Sequence, residues 1–75
     1  MRMTYDTDAD AAYITLGDDV GPGRAVSTVS AVGIPHGGEV NLDFDAAGRL
    51  LGIEVLGASA LIAPELLEVA PPPGG

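Results

Sequence analysis

The sequence predicts an α+β domain: a twisted antiparallel sheet of four or five strands, mostly meandering, with one short C-terminal helix packed on a face. Three observations lead there. Apolar and polar residues alternate at a period of two in several short runs as far as Leu56. Clusters of Gly, Pro, Asp and Asn separate those runs and supply turn chemistry. After Gly57 the apolar period lengthens to that of a helix.

Met1, Met3 and Tyr5 alternate with Arg2, Thr4 and Asp6, which reads as a first strand. Asp side chains bond the backbone two residues on, so Asp6 to Asp10 turns the chain. Ala12, Ile14 and Leu16 then alternate with Ala11, Tyr13 and Thr15 as a second strand, and the two should form a hairpin. Gly17 to Gly23 is turn chemistry throughout. A third, polar strand fits Arg24 to Ser30; Val26 and Val29 have opposite parity, which suits an edge strand or a bulge.

Val32 to Gly38 is a loop by composition. Val40, Leu42 and Phe44 alternate with Asn41, Asp43 and Asp45 in the clearest half-buried strand of the chain. Asp45-Ala46-Ala47-Gly48 suits a type I turn closed by a left-handed glycine, so the strand should return through Leu51, Ile53 and Val55. Ile62, Leu66, Val69 and Ala70 fall at helical spacing, away from Glu65 and Glu68, with Pro64 in the first turn. Residues 1–70 thus make a single small domain, and the Pro/Gly-rich residues 71–75 an extended or disordered tail.

Composition bounds what such a domain can do. Area scaling for this mass gives roughly 4,200 Å² of folded surface against about 10,900 Å² unfolded, so the core is thin. Trp is absent and aromatics are 4% of residues, which leaves aliphatic side chains and alanines to build that core. Leu, Ile, Val and Phe make up about 27% of the chain, above the level of disordered sequences despite a net charge of -8. A surface with so few cations repels phosphate backbones and anionic membranes, which argues against nucleic-acid and membrane partners. Val55 to Ala63 is too short to span a bilayer. Arg2 and Asp6 stand where a secretory signal would be apolar, so a cytoplasmic location is expected. There are no cysteines, hence no disulfides and no thiolate chemistry.

Two stretches carry a resemblance. The first is Tyr5-Asp6, two further residues, Ala9-Asp10-Ala11 and the short strand through Tyr13 and Ile14. The second is the alternating run Val40 to Asp45, the turn at Gly48, and Gly52-Ile53-Glu54 with an apolar strand end. Together they resemble the signature of the widespread bacterial DUF2283 family, very small proteins whose shared domain has unknown function. The resemblance spans Met3 to Ser59 and implies kinship and fold, with no activity attached. The Val32 to Gly38 loop is longer than the tight connection the family has there.

Candidate chemistry is sparse. Asp6-x-Asp8-x-Asp10 opens like a calcium loop, but Ala11 stands where the loop needs glycine and Gly17 where it needs a bidentate Glu. These three are weak metal candidates, better read as shaping a solvated turn, and no metal or other cofactor is expected. Asn41, Asp43 and Glu54 share a face if their strands pair, which alternation alone explains. His36 lacks a Cys or second His. Ser27, Thr28, Ser30 and Ser59 lack an activating base, and neither Gly21-Pro22-Gly23 nor Gly37-Gly38 is followed by the Lys of a phosphate loop. No catalytic residue is assigned, and an enzyme is not expected.

Tyr5 and Tyr13, each with a broad ring and a polar tip, suit sheet packing or an interface. With Asp43 and Glu54 they are the interaction candidates. The expected function is a non-enzymatic protein-interaction or self-assembly module, with a homodimer hiding apolar surface that one helix cannot cover. A basic protein is the other partner expected, given the charge. The alternative is a small-ligand or cation-binding protein using the acidic turn or the acidic sheet face.

Overall fold

The computed structural model describes residues 1–17 and 23–74. Its strands are β1 (Arg2–Asp6), β2 (Ala11–Thr15), β3 (Ser27–Ser30), β4 (Glu39–Phe44) and β5 (Leu50–Leu56), followed by helices α1 (Ala58–Leu61) and α2 (Pro64–Glu68). All pair antiparallel in one sheet of order β1-β2-β5-β4-β3. The β1–β2 hairpin and the β3–β4–β5 meander therefore join side to side, and the last strand takes the centre. This is the expected α+β architecture with five strands.

The registers line side chains up in rows across the sheet, with neighbouring rows on opposite faces. Met3, Ile14, Ile53, Leu42 and Val29 make one row, and Tyr5, Ala12, Val55 and Val40 the next row on that same face. Thr4, Tyr13, Glu54, Asn41 and Ser30 point the other way, as do Arg2, Thr15, Gly52, Asp43 and Thr28. The strict alternation of the sequence thus becomes one apolar face and one polar face.

The helices cover part of the apolar face. Ala12, Val55 and Ala58 are buried, and Met3, Tyr5, Val40, Ile53, Leu61, Ile62 and Leu67 pack around them. The small Ala12 and Ala58 let the helix start approach the strand closely. Full burial of a valine contributes about 1.5–3 kcal/mol, and alanines bring much less area, so this core is thin.

The single helix expected near the C-terminus is instead two, and of its expected stripe Ile62 packs on the core while Leu66 and Val69 do not. Ile62 and Ala63 are extended, at ψ 137° and 134°, because Pro64 disfavours helical backbone in the residue before it. That break resets the helical phase: Leu61 and Leu67 pack inward, while Leu66 is 53% and Val69 79% exposed. Pro64 does stand in the first turn of α2.

The β4–β5 turn forms as the sequence implies. The Gly48 N–H donates to the Asp45 carbonyl at 3.0 Å, and Gly48 has φ +78°, where a Cβ is strained whatever the space around it. β3 is the sheet edge anticipated from the parity of Val26 and Val29. Within the Val32 to Gly38 loop, Pro35–Gly37 makes a 3-10 turn with exposed His36 at φ 60°. Apart from its end residues, the turn expected over Gly17 to Gly23 lies outside the described residues. At the domain boundary expected near residue 71, the Pro71 carbonyl accepts the Tyr5 N–H at 2.9 Å.

Two tyrosine–aspartate pairs on opposite faces

Asp6 shapes the β1–β2 turn as an Asx turn, its Oδ1 accepting the N–H groups of Asp8 at 3.0 Å and Ala9 at 3.3 Å. Asp10 then takes the left-handed conformation, φ 51°, which Asp tolerates better than most residues. That conformation aims it at the junction of β5 and α1. Its carbonyl accepts the N–H groups of Gly57 and Ala58, both at 3.0 Å. Its Oδ1 accepts the Ser59 N–H at 2.9 Å and the Tyr5 hydroxyl at 2.7 Å, and its Oδ2 accepts the Ser59 hydroxyl at 2.7 Å.

One aspartate therefore caps a helix far away in sequence and ties the first hairpin to it. The hydroxyl of Ser59, then that of Tyr5 and the Ser59 N–H, hold the Asp10 carboxyl below its ordinary pKa. The bond to Asp10 is the main reason the Tyr5 phenol is raised.

The second pair lies on the polar face. Tyr13 donates its hydroxyl to Asp43 Oδ2 at 2.7 Å, crossing the central strand β5 to do so. Gly52 lies beneath the tyrosine: a Cβ there would come within 2.7 Å of two ring carbons. Asp43 Oδ1 accepts the Thr28 hydroxyl at 2.7 Å, which extends the chain of contacts to the edge strand β3. Burial, followed by the Asp43 hydrogen bond and the charges of Asp43 and Glu54, raises Tyr13 to about 12. Tyr13 is thus a permanent neutral donor near pH 7.

Beside it, buried Asn41 donates from Nδ2 to Glu39 Oε2 at 2.9 Å and to Glu54 Oε1 at 3.0 Å, and its Oδ1 accepts the Ser30 hydroxyl at 2.7 Å. One amide thereby bridges two carboxylates.

Of the interaction candidates, the fold brings Tyr13, Asp43 and Glu54 together on the polar face and places Tyr5 on the other. Asp6, Asp8 and Asp10 share a turn, but two of them are engaged as described, and among the described residues no three His, Asp or Glu side chains could hold a metal ion. The clamp by Asp10 and Ser59 and the part played by Thr28 were not anticipated. A serine two residues after a glycine where the period changes was the available signal for the former.

Chemically, these groups form a structural network. Asp43 accepts two hydroxyls, Asn41 uses both of its donors and its oxygen, and no buried side-chain polar atom among the described residues lacks a partner. The one ion pair among the described residues is Arg49 Nε to Asp45 Oδ2 at 3.4 Å, in the β4–β5 turn. No described helix is long and apolar enough to cross a membrane.

The open sheet with helices on one face, held by a tyrosine–aspartate pair on each side, defines a small two-layer α+β domain. A family model described as "Protein of unknown function (DUF2283)" matches residues 2–59, and the chain belongs to that family. The match ends at Ser59, the residue that closes the Asp10 clamp, so it takes in the whole sheet and stops before α2. Neither the curated proteins nor the solved structures include a match to this chain.

Proposed function

We propose that this chain is a non-enzymatic protein-interaction module that assembles with itself. The observation that carries the reading is the incompleteness of the core: among the described residues, no large side chain is fully buried. Apolar side chains remain exposed at several places, among them Val26, Val29 and Val32 in or beside β3 and Leu66 and Val69 on or beside α2. A partner that covers such surface gains what the thin core does not supply. Hydroxyl, amide and carboxylate groups of the polar face bond one another, which supports a bracing role for that face.

Multi-angle light scattering from micromolar to submillimolar protein tests this, with a mass of twice 7.5 kDa expected. A mass of 7.5 kDa throughout would overturn self-assembly. A second reading, binding of a small ligand or cation at the acidic turn, is favoured by a cleft of about 540 Å³ whose lining includes Tyr5, Asp6, Asp8, Leu67 and Glu68. Thermal stabilisation by a panel of organic amines and divalent cations, abolished in Asp8→Asn, would select it.

A further inference from the structure

The outer side of β3 is an open sheet edge among the described residues. The Ala31 N–H donates to the Val40 carbonyl at 2.8 Å, so Ala31 and, by alternation, Val29 turn their backbone groups toward β4. Thr28 and Ser30 then direct theirs away from the sheet. Among the described residues no segment lies beyond β3 in the sheet, and no backbone bond reaches Thr28 or Ser30 from outside it.

Natural edges are guarded by Lys, Pro, charge or a covering segment. Between Arg24 and Glu39 there is no charged residue, and Pro35 lies outside the strand. Every residue of β3 is exposed, and Val29, at 52% exposure, ends the apolar row Met3, Ile14, Ile53, Leu42.

We infer that the β3 edge pairs with the β3 edge of a second copy, antiparallel, about a two-fold axis through Val29. The uncharged edge permits a second copy: two chains of net charge -8 can meet here without directly opposed carboxylates, their net repulsion being screened by salt. Geometry does the rest. With the axis at Val29, Thr28 and Ser30 of each copy exchange both N–H to carbonyl bonds with Ser30 and Thr28 of the other.

Val29 then faces its own copy as a non-hydrogen-bonded pair, the closer of the two antiparallel spacings. The apolar row runs unbroken from one copy into the next. An axis perpendicular to the sheet leaves the helices of both copies on one side, over a continuous sheet of ten strands, five from each. Such a contact is isologous and closes on itself.

This placement rests on the self-assembly reading, and the test separates the two. Because the chain has no cysteine, single substitutions report cleanly. Val29→Cys should form an intermolecular disulfide under mild oxidation at least about tenfold faster than Thr28→Cys or Ser30→Cys, since only position 29 meets its own copy within disulfide reach.

Val29→Lys and Ser30→Pro should each reduce the mass by light scattering to that of one chain, with circular dichroism retaining the fold. Val69→Lys, exposed beside α2, should leave the dimer intact. A dimer indifferent to Val29→Lys but broken by Val69→Lys, or equal cross-linking rates at all three positions, would overturn the β3 assignment and keep self-assembly. A monomeric wild type would overturn both.

Discussion

The two edges of the sheet meet the same hazard in different ways. β1 carries Arg2 and Asp6 at its ends, and the Pro71 carbonyl takes the Tyr5 N–H that would otherwise face outward. Asp10 anchors the neighbouring turn to α1. β3 has no charge, no proline and, among the described residues, no covering segment. Its support comes from behind, through the line Tyr13, Asp43, Thr28 across the polar face. The difference shows how a small sheet can close one side against association and keep the other available, with the same few residue types.

Removing residues 71–75 is the most forceful way to break this contrast. It frees the Tyr5 N–H and gives β1 an open edge too, so with β3 pairing as proposed the chain should form species larger than a dimer. Sedimentation velocity at several concentrations reads this directly; an unchanged boundary would mean that Pro71 guards nothing.

Gly52→Ala attacks the brace behind β3. The new Cβ displaces the Tyr13 ring and with it the bond to Asp43, a loss of about 1–3 kcal/mol by overpacking. Urea denaturation should show it, and dissociation of the proposed dimer should rise in parallel. Gly48→Ala strains the β4–β5 turn at φ +78° and should cost about 1 kcal/mol, with the Tyr13 brace intact. An unchanged urea midpoint would show that the turn is built differently.

An effect of similar size, about 1 kcal/mol near pH 7 for one part-buried hydrogen bond, is expected from Tyr13→Phe. Its signature is the pH profile. A phenol raised from 10.0 to about 12 on folding contributes stability that is full below pH 10 and is lost as pH climbs toward 12. Tyr13→Phe should flatten that alkaline arm in thermal melts, leaving the part that comes from Tyr5. Asp10 and Asp45, both lowered, contribute stability present above pH 3.8 and lost as pH falls below it, so the acid arm should survive the substitution unaltered.

Much of the sheet was legible because it is local. The alternation at Val40 to Phe44, the Asx turn at Asp6, the left-handed Gly48 and the shared face of Asn41, Asp43 and Glu54 each depend on residues near in sequence or on parity alone. The helical break before Pro64 was legible in that proline, but the side α2 buries was not, because the stripe through Leu66 and Val69 has the right spacing and only tertiary burial decides between it and Leu67. The Asp10 clamp joins residues 49 apart, and the Tyr13 bond to Asp43 joins residues 30 apart. No periodicity encodes such contacts, so Asp10 read as one carboxylate among three in a turn when it is the fixed point of the helix layer.

The order of the strands also bears on how the molecule comes into being. β5 is the last strand in sequence and the middle one in space, so β1–β2 and β3–β4 have no shared neighbour until it is complete. Two strands alone are marginal in water. A chain emerging from synthesis therefore holds two unstable ribbons apart until Leu50–Leu56 enters between them, and Ser59, a few residues later, latches Asp10. This order predicts a single late folding event paced by loop closure, which stopped-flow refolding should show as one exponential phase.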